Sequence, residues 1–163
     1  MIVLGIDPGT IIMGFGVIEC LDRDVVLIKY GALNTPSRSP IGERLSFLYS
    51  NLQAIIAQYQ PEVVAVEQPF VAKNAKSAFA IGRAQAIAIL AAANAHLPCF
   101  EYTPAEIKMR VANYGASSKE QIQQMVMLQL GLKEIPEPTD AADALAVALC
   151  HVQVMQIEKL LNR

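Results

Sequence analysis

The sequence predicts an α/β fold, a mixed five-stranded sheet flanked by helices on both faces. Two observations carry this expectation. The first third of the chain holds three strand-like segments separated by only a few residues, which calls for antiparallel hairpins. Beyond them, stretches of helical periodicity alternate with short apolar runs, the pattern of strands buried inside a parallel sheet.

Taken in order, residues 2–6 are apolar until Asp7, where Pro8 and Gly9 turn the chain sharply. GFGVIEC at 14–20 and DVVLIKYGALN at 24–34 complete a three-stranded meander. After the turn-rich TPSRSP at 35–40, Ile41, Leu45, Leu48, Leu52, Ile55, Ile56 and Tyr59 recur at helical spacing, so a helix is expected over 41–60 and ends at Pro61. EVVAVE at 62–67 is a short buried strand. A long helix follows over 74–96, with Asn74 as its N-cap, and PCFEY at 98–102 is the fifth strand. Helices near 104–113 and 118–130 break at Gly115, and a last helix starts near Asp140. The helix over 74–96 is apolar nearly all round: from Ala78 to Ala95 only Arg83, Gln85 and Asn94 are strongly polar. One side must cover the sheet. The other needs more of this chain or a second copy of it, and the latter favours a two-fold homodimer.

A chain of 163 residues is long enough for a sizeable core, and no repeat or linker divides it, so one domain over 1–163 is expected. A hydrophobic fraction of 53% with 17% charged residues excludes a disordered chain. Cys20, Cys99 and Cys150 lie in apolar surroundings without CxxC spacing, which reads as reduced core thiols in a cytoplasmic protein. The first residues lack a basic leader, and no run of 18 apolar residues occurs, so neither export nor membrane insertion is expected. The net charge of −2 gives no global signature of a nucleic-acid binder. Between residues 70 and 120, however, six basic residues (Lys73, Lys76, Arg83, Lys108, Arg110, Lys119) face three acids (Glu101, Glu106, Glu120).

Carboxylates close two of the predicted apolar strands: Asp7 ends the first and Glu67 ends the fourth. If these strands are neighbours, the two acids converge at one end of the sheet. Asp140 and Asp143, three apart at the start of the last helix, share a face and could join them. Crowded carboxylates stay ionised only if cations neutralise them, and an oxygen-only set suits Mg²⁺ or Mn²⁺. Two such ions per site are suited to phosphodiester cleavage. Each acid also has an ordinary role: Asp7 in setting the turn, Asp140 as an N-cap, Asp143 in balancing the helix dipole. Glu67, before Gln-Pro, fits no such role well. His96 and His151, each following an apolar helical stretch, read as packing or helix-end residues. GTIIMGFG at 9–16 lacks the Gly-Lys-Ser/Thr of a phosphate-binding loop.

GIDPGT with GFGVIE, VEQPFVAKNAKSAFAIGRAQ, FEYTPAEIK and TDAADALAVALCH together resemble the RuvC family of Holliday junction resolvases, in the same order through nearly the whole chain. The resemblance implies an RNase H-like fold and a Mg²⁺-dependent endonuclease. It also implies a homodimer that nicks two strands of like polarity in four-way junction DNA, leaves 5′-phosphate ends, and works with the RuvA–RuvB branch-migration motor. Residue by residue, Asp7, Glu67, Asp140 and Asp143 match the metal-binding catalytic positions. Lys108 and Lys119 match basic residues near the scissile phosphate, and Phe70 matches an aromatic that meets a junction base. Lys73, Lys76 and Arg83 are further candidates for phosphate contact. The alternatives for these positions are ordinary: solvated lysines and a core phenylalanine. A junction-binding module that does not cut would need a broken acidic set, whereas all four acids are present. An actin-type kinase would need a second similar domain, which 163 residues do not hold.

Overall fold

The computed structural model describes residues 1–22, 24–36, 38–69 and 74–162. Its elements run β1 (Ile2–Asp7), β2 (Ile12–Leu21), β3 (Asp24–Asn34), α1 (Ile41–Tyr59), β4 (Val63–Glu67), α2 (Ala75–Asn94), β5 (Cys99–Tyr102), α3 (Pro104–Ala112), α4 (Lys119–Gln129) and α5 (Thr139–Leu161). The sheet order is β3-β2-β1-β4-β5. The meander β1–β2–β3 is antiparallel, while β4 and β5 add to it in parallel through the crossovers. The expected mixed five-stranded sheet is therefore the observed one, with β1 and β4 side by side.

Period-two alternation sends each strand's side chains to two separate cores. Leu4, Ile6, Met13, Phe15, Val17, Val64 and Val66 pack beneath α1 and α2. Val3, Ile18, Val63, Ala65 and Tyr102 pack on the opposite face with α3, α4 and α5. A bulge between Val17 and Ile18 leaves Ile28 without a cross-strand partner. Because of that extra residue, Leu27 and Tyr30, three apart, both reach the α5 side.

The helix ends follow local chemistry. Gln60 adopts a left-handed conformation and closes α1 before Pro61. Asn74 caps α2 as expected, its side chain accepting from the Lys76 and Ser77 amides. Thr103 and Ser118 form reciprocal capping boxes with Glu106 and Gln121, each cap contributing about 1 kcal/mol. The last helix is capped by Pro138 without a side-chain hydrogen bond, so Asp140 is not its N-cap and lies inside the first turn.

By length and composition α2 and α5 are both apolar enough to cross a bilayer. In α5 the unbroken buried run Ala144–Val152 lies in the core against the sheet. The outer side of α2 is different. Phe79, Arg83, Ala86, Leu90 and Ala93 are exposed at alternating spacings of four and three, a continuous and largely apolar stripe opposite the core.

Candidate active site

Asp7 and Glu67 converge because of strand parity. Val3 and Gly5 on β1, and Val63 and Ala65 on β4, face α5, so the next positions of the same parity, Asp7 and Glu67, face it too. The parallel register pairs Ile6 with Val66, and the following step sets Asp7 beside Glu67 at the carboxyl ends of both strands. Open α/β sheets build their sites at that edge.

Asp140 and Asp143 arrive by close approach of a helix to the sheet. A Cβ on Gly14, the cross-strand partner of Asp7, would overlap the backbone carbonyl of Asp140. A Cβ on Gly5 would overlap the Ala144 carbonyl, and one on Gly16 would press on Leu145. Three glycines under an alanine-rich helix thus let α5 settle directly on β1 and β2. Its first turn is thereby brought to the level of Asp7.

Burial and mutual repulsion dominate the electrostatics. Desolvation, followed by the charges of Glu67 and Asp143, pushes Asp7 up to about 9, so at neutral pH its carboxyl keeps a proton and hydrogen-bonds Glu67. Desolvation also raises Glu67, partly offset by that hydrogen bond and by the charges of Lys119 and Lys108. Asp143 is raised by burial and drawn back by Lys119, whose ammonium nitrogen lies 2.8 Å from its Oδ2. Burial works against the Lys119 charge, but Asp143, Asp7 and Asp140 outweigh it and leave the lysine more strongly protonated than usual. Beside these groups opens a cleft of about 230 Å³, lined by Glu67, Lys108, Lys119 and Asp143 over an apolar floor of Ile107, Ile122 and Ala146.

This donor set fits a hard divalent cation. It offers only oxygen, its members raise one another's affinity for protons, and the charge they carry calls for a cation. Among the described residues, no three Asp, Glu, His or Cys side chains are already gathered as an ion's ligands. Asp143 is turned toward Lys119 instead.

Of the residues singled out from sequence, Asp7, Glu67, Asp140, Asp143, Lys108 and Lys119 come together. Lys76 is exposed in the first turn of α2. Arg83 lies on the outer stripe of α2 with its guanidinium 4.4 Å from the centre of the Phe79 ring, outside the lining of the cleft. Phe70 and Lys73 lie outside the described residues. His151 is a packed core residue, its Nδ1 2.7 Å from the Tyr102 hydroxyl, and burial lowers its affinity for a proton. His96 follows Ala95, the C-cap of α2, in a left-handed conformation. Sequence reasoning missed Gly5, Gly14 and Gly16. Their signal was present: glycines of one strand parity, in strands that otherwise favour bulky residues, read together with the small residues of the last helix.

Residues 3–151 match the profile of the family described as crossover junction endodeoxyribonuclease RuvC. A protein of that description from Dehalococcoides mccartyi is 57% identical over 151 residues, covering 93% of this chain and 90% of the relative. Another, from Desulfitobacterium hafniense, is 48% identical over 163 residues, covering 100% and 97%. In three dimensions the chain is similar to Thermus thermophilus RuvC solved in complex with Holliday junction substrate, with a TM-score of 0.91 and 33% identity, covering 97% of this chain and 96% of that one. The likeness makes the sheet with its two helical layers an RNase H-like fold.

Proposed function

The chain belongs to the RuvC family of crossover junction endodeoxyribonucleases, and from that premise we propose that it resolves Holliday junctions during recombination and repair by metal-dependent nicking of two strands. The observation that carries this reading is the convergence of Asp7, Glu67, Asp140 and Asp143 beside a cleft bearing Lys108 and Lys119. Residues 1–163 act as a single nuclease domain in the cytoplasm.

In this reading the four carboxylates hold Mg²⁺ or Mn²⁺, two ions per site. Bound there, a divalent cation supplies Lewis-acid activation of water and neutralises charge at the phosphoryl oxygens. The chain's own groups do the rest. Asp7 would bind a cation only as the carboxylate and so would release its proton on holding one, and Glu67, freed of that hydrogen bond, would be available as a further ligand. Lys108 and Lys119 stabilise the extra negative charge on the phosphate as the bond to the leaving 3′ oxygen breaks, which leaves a 5′-phosphate. Phe70 meets a junction base, while Lys73, Lys76 and Arg83 contact phosphates of the arms.

Cutting two strands of like polarity needs two sites, which the outer stripe of α2 supplies by pairing with a second copy. Junctions reach this dimer through the RuvA–RuvB branch-migration motor. A synthetic four-way junction with Mg²⁺ tests the core of the proposal. The wild-type protein cuts it, ligase reseals the nicks without prior phosphorylation, and Asp7→Asn binds without cutting. Cleavage by both proteins, or by neither, overturns the proposed mechanism.

A further inference from the structure

We infer that Lys119 is a resident counter-ion: its ammonium holds the place of a divalent cation on Asp143 and passes to the scissile phosphate when the cation binds. This rests on reading the four carboxylates as metal ligands.

Four observations support the exchange. Among the described residues, Lys119 is the one side chain in ion-pair contact with any of the four acids, at 2.8 Å from Asp143 Oδ2. At that distance the ammonium occupies a lone pair that an ion would need, and its charge opposes a second cation nearby. Its backbone is fixed, because Lys119 opens α4 directly after Ser118, whose capping box with Gln121 pins the first turn. Only the four-carbon stem has to move, and with 56% of the side chain exposed that swing meets little obstruction. The cleft into which it swings is lined by Lys108 as well, so a phosphate seated there would meet two ammonium groups once Lys119 leaves Asp143. Metal binding and phosphate contact are thereby coupled through one side chain: a carboxylate claimed by a cation releases the lysine that the substrate needs.

Mn²⁺ titration of the full chain, following the free-ion signal by electron paramagnetic resonance, tests the exchange without relying on turnover. Lys119→Ala is expected to bind Mn²⁺ about two- to fivefold more tightly than wild type, the range of a half-exposed ion pair removed from competition. Lys119→Arg keeps the charge and stays near the wild-type affinity, while Asp7→Asn binds weakly. In the junction assay Lys119→Ala cuts more slowly despite its tighter metal, an opposition that loss of a merely structural contact does not produce. If Lys119→Ala binds Mn²⁺ no better than wild type while Asp7→Asn loses it, the counter-ion role falls and the carboxylate site stands. If Asp7→Asn binds Mn²⁺ like wild type, both fall.

Discussion

Asp7 is a residue placed against the interest of the fold. Its carboxyl is buried beside Glu67 and keeps a proton up to about pH 9, whereas in the unfolded chain it ionises near 3.8. Between those values the folded state retains a proton that the unfolded state has released. The stabilisation is full below pH 3.8 and is lost as pH rises toward 9, at up to about 1.4 kcal/mol per pH unit for one proton. Glu67 and Asp143, also raised, act in the same direction. His151 has its affinity for protons lowered, so its contribution has the opposite sign and is confined to pH values around and below its ordinary 6.5. Urea unfolding in the presence of a chelator is therefore expected to show stability falling from pH 7 to 9. Asp7→Asn should flatten that slope and be more stable than wild type at pH 8, the common exchange of stability for activity. Equal slopes in the two proteins would remove Asp7 as their source. Added Mg²⁺ should restore stability to wild type at pH 8 and do little for the variant.

At the scale of elements, the site depends on how closely α5 meets β1 and β2. Gly14→Ala puts a methyl group into the Asp140 carbonyl and must lift the first turn of α5, because the contacting atoms of Asp140 and Ala141 are all backbone. The expected cost is about 1–3 kcal/mol of stability. Mn²⁺ affinity should fall as well, since Asp140 and Asp143 move away from Asp7. Gly42→Ala is the matched control: it lies inside α1 with open space around its missing Cβ and should stabilise by about 0.4–1 kcal/mol. Thermal unfolding of both variants, with metal titration of the first, separates a lost close approach from a generic effect of glycine. The same contact marks the limit of what the sequence disclosed. Apolar runs and helical spacing located all ten elements of the described residues, and Asp7 and Glu67 at two strand ends announced a site. The adjacency of β1 and β4 was a condition that periodicity could state but not decide, because strand order is a property of packing. The Lys119–Asp143 pair was likewise invisible, since nothing in the spacing of 119 and 143 says that α4 opens over the first turns of α5.

For the molecule as a whole, a net charge of −2 sets the strength of DNA binding while the position of the charges sets its place. Of the six basic residues between positions 70 and 120, Lys108 and Lys119 line the cleft and place the attraction there. Junction affinity should fall with added salt, with a slope shallower than that of a more basic relative, and an affinity independent of salt would contradict phosphate binding. The second whole-molecule property is pairing. Phe79 and Leu90 are 64% and 47% exposed on the outer stripe of α2, with Ala86 and Ala93 on the same line. Small residues there let two helices approach, and the two large apolar residues lose their exposed surface when they do. Leu90→Glu puts a charge into that contact and is expected to yield a monomer in sedimentation velocity, with Phe79→Glu as an independent second variant. Neither residue touches the carboxylates or lines the cleft, so each monomer keeps a complete site. On a supercoiled plasmid with an extruded cruciform, the dimer makes both nicks in one encounter and gives linear product. The monomer makes one nick, which relaxes the plasmid and reabsorbs the cruciform, so nicked circles should accumulate. Variants that stay dimeric, or monomers that still give linear product, would show that the two cuts are not coordinated through α2.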